Sequence, residues 1–459
     1  MSALSAERLP VLDRRRAGML LHPTSLPGRG AFGAAGRAFI DWLAAGGFSV
    51  WQVLPLGPVG IDGSPYWVSA DSAFNTALID PDEAVDPATE PAEFAGFCAD
   101  SADWLEDYAL FMALAQAQGS PAWRQWPREL RDRDPAALAA ARIAGAAAMQ
   151  SVRAAQWNAQ RQWQRLRNYA HHRGVRLFGD LPIYVSPDSV ATWTQREQFQ
   201  FDDDGNTVSV AGVPPDYFAA DGQLWGNPLY DWAQAERDGF RYWKARLGLQ
   251  LQRFDLVRID HFRGLAGYWS VPAGALTARE GSWQPGPGAK LLQALRTGLP
   301  DMPLVAEDLG VITPDVDQLR HDFHLPGMRV LQFGFDGSPD NPHLPHNFSP
   351  DTVVYTGTHD NDTTLGWYQS LAAHAAAHVD AYLGSDAAAM PRSLWRAANA
   401  SVACLAMMPM QDALALDSGA RFNVPGTVEG NWRWRLPQAS LSVELAAELR
   451  GLNQLFGRI

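Results

Sequence analysis

Three apolar runs in this chain each end in a carboxylate. Asp255–Asp260 reads DLVRID, Pro303–Glu307 reads PLVAE and Thr352–Asp360 reads TVVYTGTHD. Each has the length and Val/Ile/Leu content of a strand buried on both faces. A carboxylate at the end of such a strand is costly unless solvent, a partner or a substrate satisfies it. If the strands lie in parallel, Asp260, Glu307 and Asp360 converge on one end of one sheet, an arrangement suited to glycosyl chemistry.

The neighbours of each acid suggest a role and leave an alternative. Asp260 stands among Arg258, His261, Arg263 and Gly264. An adjacent Arg lowers a carboxylate's pKa and keeps it ionised, as a nucleophile requires; the alternative is a structural ion pair with Arg258 and Arg263. Glu307 follows an apolar run, the setting a general acid needs to stay protonated; the alternative is a capping or ion-paired acid. Side chains alternate along a strand, so only one of Glu307 and Asp308 can face the axis, and Glu307 has the longer reach. Asp360 follows His359 in the polar run TGTHDNDT. Together they can hold sugar hydroxyls through charge-assisted hydrogen bonds, or Asp360 can close an Asx-turn. Asp362 is expected to be solvated or a turn former.

Other candidates surround the trio. Asp180 ends the third strand-like run (RLFGDLPIYV) and is expected to support the acids from behind. The insertion Pro214–Tyr230 (PPDYFAADGQLWGNPLY) offers Tyr217, Phe218, Gln223 and Trp225 as an aromatic lid, or else packs on itself as an Ω-loop. Tyr66, in Ser64–Tyr66, and Asn75 follow the second strand and can form another wall of the cleft.

The elements that must position these residues alternate between strand and helix. Strand-like runs are Gly18–His22, Ser49–Leu56, Gly174–Tyr184, Asp255–His261, Pro303–Leu309, Met328–Gly334, Thr352–Thr358 and Val402–Met410. Helical patterns cover Arg37–Ala45, Val152–His171, Gly239–Phe254 and Gly288–Gly298. Such alternation predicts parallel strands with right-handed crossovers, and eight of them predict an α/β fold closed as a (β/α)8 TIM barrel. Residues 1–459 read as a single barrel catalytic domain. A helical insertion (59–172) follows strand 2, and a Pro/Gly/aromatic-rich insertion with a helix (186–254) follows strand 3. Both are expected to rise from the catalytic face, where the βα loops lie.

Composition narrows the partners. With 47% hydrophobic and 19% charged residues, the 459-residue chain reads as globular. A formal charge of −13 disfavours nucleic acid and anionic membranes and admits a neutral sugar. Cys98 and Cys404 lack ligand spacing and read as two buried thiols. No secretory signal and no membrane-length apolar run is evident, so a cytoplasmic enzyme is expected. Phosphate-binding, dinucleotide, Ser-nucleophile and EF-hand signatures are missing from the sequence. No cofactor is expected. Asp260, His261, Glu307, Asp308, His359 and Asp360 include enough oxygen and nitrogen for a divalent ion. Against a metal, alternation would turn only one of each adjacent pair inward, leaving mostly carboxylates beside Arg258.

Taken together, these segments resemble the amylomaltases, the 4-α-glucanotransferases also called disproportionating enzymes. Gly18–Pro27 (GMLLHPTSLP), Trp51–Pro58 (WQVLPLGP), Arg173–Val185 (RGVRLFGDLPIYV), Arg258–Gly264 (RIDHFRG), Ala306–Gly310 (AEDLG), Gly357–Thr363 (GTHDNDT) and Val424–Arg435 (VPGTVEGNWRWR) look like that family's signature runs. The resemblance implies retaining transfer between α-1,4-glucans, maltooligosaccharides and glucose. It implies Asp260 as nucleophile, Glu307 as acid/base and Asp360 as the acid that stabilises the transition state. Arg258, His359 and Asp180 match residues around the −1 sugar. Tyr217, Phe218, Gln223 and Trp225 match a loop lining donor and acceptor sites, and Asn423 matches the rim. One departure stands in SPYWVSADSAFNTALID: Phe74 and Thr76 flank Asn75 where relatives often carry Gly and Pro, a change to the donor-side wall rather than to the chemistry. An α-glucan hydrolase with the same carboxylates is the alternative.

Overall fold

A computed structural model describes residues 9–60, 62–215, 220–299, 301–427 and 429–459. Twelve strands occur among them: β1 (Arg16–Leu20), β2 (Val50–Gln52), β3 (Arg176–Leu181), β4 (Ser209–Val213), β5 (Gln223–Pro228), β6 (Leu256–Ile259), β7 (Gly267–Pro272), β8 (Ser282–Pro285), β9 (Leu304–Ala306), β10 (Gly327–Val330), β11 (Thr352–Tyr355) and β12 (Leu405–Pro409). Eight of these close a barrel in the order β1-β12-β11-β10-β9-β6-β3-β2, and every pairing between them is parallel. The eight strand-like runs of the sequence and the barrel strands coincide in number and order.

Alternation along these strands separates two apolar layers. Val50, Phe178, Leu256, Val305, Met328, Val353, Tyr355, Leu405 and Met407 belong to one cluster. Their sequence neighbours Trp51, Leu177, Val257, Leu304, Ala306, Val354, Ala406 and Met408 belong to another, shared with helical residues such as Phe39, Trp163, Leu247, Leu292 and Leu394. The first set fills the barrel and the second packs the helices onto it, as side-chain period two requires. Phe178 and Leu256 being inward, so are Asp180 and Arg258 two positions on, and these two are register partners across β3 and β6.

Helices Ala34–Ala45, Arg241–Arg253 and Gly288–Gly298 flank the barrel. The long helix Ala146–His172 precedes β3 and buries Met149, Trp157, Trp163, Leu166 and Ala170 at helical spacing. Between β2 and this helix, the helices Ala102–Gln118 and Pro135–Ala144 gather a separate apolar cluster around Tyr108, Phe111, Trp123, Trp126 and Trp193.

The insertion after β3 differs from its loop-like reading. It contributes β4 and β5, which join β7 and β8 in a four-stranded antiparallel sheet of order β5-β4-β7-β8. Gly212, Gly226, Pro228 and Pro285 are strand breakers by composition, and β5 and β8 are edges where Pro and Gly are tolerated. Among the described residues no helix is long and apolar enough to cross a membrane. Cys404 is buried with its thiol 3.2 Å from the Thr352 carbonyl, whereas Cys98 is only half-buried, contrary to the expectation of two buried thiols.

Candidate active site

The barrel ladder runs past the formal strand ends and sets the two principal acids side by side. Arg258 pairs in register with Val305, and Ile259 with Ala306. Beyond them the Asp260 N–H donates to the Leu181 carbonyl at 3.0 Å, and the Glu307 N–H to the Ile259 carbonyl at 3.0 Å. The Phe262 N–H closes the next step on the Glu307 carbonyl at 3.0 Å. Asp260 is two residues beyond Arg258 and Glu307 two beyond Val305, so both acids continue the inward rows at the strands' carboxyl ends. Asp308 takes the opposite face. It is buried, accepts the Met328 N–H at 2.6 Å and pairs with Arg329 at 3.1 Å and Arg320 at 3.3 Å. Asp255, at the other end of β6, is held by Arg167, His171 and the Leu177 N–H, far along the strand from the trio.

Arg258 is the hub beneath Asp260. Its guanidinium donates to Asp180 from Nε at 2.8 Å and from Nη2 at 3.0 Å, and Nη2 also reaches Asp260 Oδ1 at 2.6 Å. The Tyr66 hydroxyl donates to Asp180 Oδ2 at 2.6 Å and accepts from Arg258 Nη2 at 3.1 Å. The Asp180 side chain is fully buried and that of Arg258 is 5% exposed, so this ion pair is screened little by water. Tyr66 stays a neutral donor, because burial, with Asp180 beside it, raises its pKa well above the usual range.

Burial raises the pKa of both central acids. Burial pushes Asp260 up to about 7; Arg258 pulls it back, while Asp180 and Asp360 push it further. Arg258 lowers the pKa of Asp260 as expected of an adjacent Arg, but desolvation outweighs the guanidinium, so the net shift is upward. Glu307 is raised well above its ordinary value, first by burial and then by Asp260, against Arg258 and the His261 N–H. As like charges, each acid raises the other, and the Arg258 guanidinium, bonded to Asp260 at 2.6 Å, favours placing the negative charge on Asp260.

Asp360 is placed by a loop. Its backbone N–H reaches Thr358 Oγ1 at 3.3 Å, and Thr358 is tied to Asn361 at 2.8 Å. The Asp360 carboxylate accepts from Asn423 Nδ2 at 2.6 Å and lies 3.3 Å from His359 Nε2, and its carbonyl accepts from Arg421 Nη2 at 2.6 Å. Burial lowers the pKa of His359, so the imidazole is neutral near pH 7. It stacks on Tyr66 with ring centres 5.3 Å apart, and Trp432 lies 6.0 Å from both rings. Below, buried Asp412 accepts from Thr356 and Thr364 and pins both ends of the loop. Asp362 bonds Ser418 Oγ at 2.6 Å and the Thr363 N–H at 2.7 Å, the behaviour of a turn former.

The remaining candidates divide. Trp225, on β5, packs edge-on to the His261 ring at 4.8 Å and to Tyr184 at 6.2 Å, and its indole N–H donates to Gln223 at 3.0 Å. The β-sheet insertion thus touches the residue beside Asp260. Asn75 spends its side-chain oxygen capping the turn Thr76–Leu78, on the Ala77 N–H at 3.0 Å. Tyr217 and Phe218 lie outside the described residues. Arg421, Trp432 and Asp412 escaped individual assignment. Trp432 sits in the run Val424–Arg435, but Arg421 and Asp412 lie in segments with no charge pattern of their own. A groove of about 1070 Å³, lined by Phe97, Trp104, Trp157 and Tyr242 among others, contains none of the three acids. Among the described residues no group of three or more His, Cys, Asp or Glu is arranged to hold a metal ion.

A parallel eight-stranded barrel with paired acids at its carboxyl ends suits a glycoside-active enzyme, and similarity to known proteins places it more narrowly. A glycoside hydrolase family 77 model, described as 4-alpha-glucanotransferase, matches residues 21–90 and 83–441. The 4-alpha-glucanotransferase of Synechocystis sp. is 44% identical, over 98% of this chain and 99% of its own; that of Thermus thermophilus is 45% identical, over 97% and 99%. Amylomaltase from Streptococcus agalactiae, solved in complex with acarbose, superposes with a TM-score of 0.91 at 32% identity, covering 97% of this chain and 100% of that one. The chain belongs to the 4-alpha-glucanotransferase family.

Proposed function

We propose that Asp260 is the nucleophile, Glu307 the acid/base and Asp360 the transition-state clamp of a retaining transfer between α-1,4-glucans. The observation that carries this reading is the placement of two inward carboxylates on adjacent strand ends, one of them bonded to Arg258. Retaining chemistry needs two carboxyl groups about 5–5.5 Å apart, one ionised and one protonated. An Asp260 oxygen bonds to the anomeric carbon as the bond to the leaving glycosidic oxygen breaks, and Glu307 delivers its proton to that oxygen. The 4-hydroxyl of a second glucan, or of glucose, then attacks the same carbon. Glu307 takes its proton, and the Asp260 carboxylate departs. Asp360, braced by Asn423 and His359, accepts hydroxyls of the distorted sugar, an interaction that tightens in the transition state.

Around this centre Tyr66, Asp180, Arg258 and His359 hold the innermost sugar or the acids that act on it. Asn423 lies at the rim, and Gln223 and Trp225, with Tyr217, Phe218 and Asn75, are the candidates for outer sugars. No metal or cofactor enters any step, and the setting we assign is cytoplasmic. Incubation with maltotriose is expected to give glucose plus a ladder of longer glucans. A rise in reducing ends without longer products would replace transfer with hydrolysis. Asp260→Asn is expected to stop both, and near-normal turnover would remove Asp260 from its role.

A further inference from the structure

His261, the residue after Asp260, has a left-handed backbone with φ of 49°. That conformation is uncommon outside glycine, although His, Asn and Asp enter it more readily than most residues. It redirects the chain immediately after the His261 N–H, which donates to Glu307 Oε2 at 2.6 Å instead of to a ladder carbonyl. Among the described residues, Glu307 Oε1 accepts only from the Leu309 N–H at 3.3 Å. The chain is held in this turn on both sides: the Gly264 N–H bonds the His261 carbonyl at 2.9 Å, and the Phe262 N–H bonds the Glu307 carbonyl. The imidazole packs under Trp225. A methyl at Gly264 would meet it at 3.1 Å and the Ile183 side chain at 2.7 Å, so the bare Gly264 leaves it room.

We infer that His261 is a positioning residue whose left-handed backbone anchors Glu307 Oε2, leaving Oε1 as the oxygen that carries and exchanges the catalytic proton. The inference rests on the acid/base role proposed for Glu307. Geometry supplies the reason: an oxygen that accepts a short backbone hydrogen bond is fixed and occupied, whereas the other can rotate its proton toward a glycosidic oxygen. The same strand turn thus presents the nucleophile and orients the acid, so their spacing is set by two consecutive residues. Charged and titratable groups that act on Glu307 are Asp260 and Arg258 on the β6 side, Asp308 beside it in sequence and Tyr355 on β11. None of them replaces a donor at Oε2.

The test compares four substitutions that all remove the ring. His261→Gly and His261→Asn tolerate positive φ; His261→Ala and His261→Val resist it, Val most. In the last two the turn relaxes and Oε2 loses its donor. For maltotriose disproportionation, kcat/KM is expected to fall about tenfold to a hundredfold further in Ala and Val than in Gly and Asn, part of the 10²–10⁴-fold a general acid contributes. A lost donor destabilises the Glu307 carboxylate, so its pKa rises and the basic limb of the profile moves to higher pH in Ala and Val only. Circular dichroism spectra monitor folding, and if Val fails to fold, Ala carries the comparison. Equal losses in all four, or unmoved limbs, would overturn the inference and assign the effect to the ring. Glu307→Gln, measured in parallel, separates the two readings: its retained turnover would remove the acid/base role itself, whereas its inactivity beside equal His261 variants would remove only the anchoring.

Discussion

Replacing Asp260 by Asn should abolish activity and yet stabilise the fold above neutral pH. The carboxyl is pushed from an ordinary 3.8 to about 7 on folding. At about 1.36 kcal/mol per decade that corresponds to roughly 4 kcal/mol. The Asp260 side chain is 28% exposed, and solvent screens part of this, so about 1–2 kcal/mol is the expected gain. Deleting one member of a buried ion pair usually costs several kcal/mol because the partner is stranded. Here Arg258 keeps both bonds to Asp180, so no charge is left alone. The sign follows from proton linkage. Folded Asp260 holds its proton more tightly than unfolded Asp260, so native stability declines as pH rises from about 4 to about 7. Asn does not titrate, and its advantage should grow across that window and level off above it. Thermal melting of both proteins from pH 4 to 8 is expected to show midpoints that converge near pH 4 and separate by about 1–3 °C at pH 8. A variant less stable than the parent at pH 8, or a difference independent of pH, would refute the argument that burial outweighs Arg258.

Two further substitutions probe the neighbours. Tyr66→Phe deletes one hydrogen bond to Asp180 and one from Arg258; a hydrogen bond to a charged group contributes about 1.5–3 kcal/mol, so a loss of that order in urea denaturation is expected, together with reduced kcat/KM. Unchanged stability would mean that water replaces the hydroxyl. Trp225→Ala removes the indole packed on His261, and the ratio of hydrolysis to transfer with maltotriose should rise several-fold, because water then reaches the glycosyl-enzyme. An unaltered ratio would take Trp225 out of the water barrier.

The barrel was readable because its strands are buried on both faces and appear as unbroken apolar runs. In Leu256–Ile259 and Leu304–Ala306, the ladder then delivers Asp260 and Glu307 at the next positions. Alternation allowed only one of Glu307 and Asp308 to face the axis, and reach favoured Glu307; the ion pairs of Asp308 with Arg320 and Arg329 agree with that choice. The antiparallel sheet was hidden for the opposite reason. Its strands are short and half-exposed, carry Gly and Pro, and pair segments far apart in sequence, as in β4 with β7. Periodicity reports burial on a face, and these strands lack a uniform one. Contacts made by loops across the barrel mouth were equally silent: nothing local to Arg421 signals the Asp360 carbonyl, and nothing in His261 signals a positive φ. The acidity of Asp260 was misjudged because sequence displays Arg258 next door but not the depth of burial that opposes it.

What separates transfer from hydrolysis lies outside the three acids, since a carboxylate pair accepts water and a sugar hydroxyl alike. The fold connects the two problems through one turn. Asp260 and His261 are consecutive: the first is the proposed nucleophile, the backbone of the second holds Glu307, and its ring carries Trp225 from the antiparallel sheet. A sheet inserted between barrel strands is thereby coupled to the geometry of Glu307, the proposed proton donor, rather than merely laid over the cleft. A glucan that packs against Trp225 would press on the same imidazole whose backbone sets Glu307. Water offers no such contact. Acceptor binding and acid orientation would then reinforce one another, which favours the sugar without any group that discriminates against water directly.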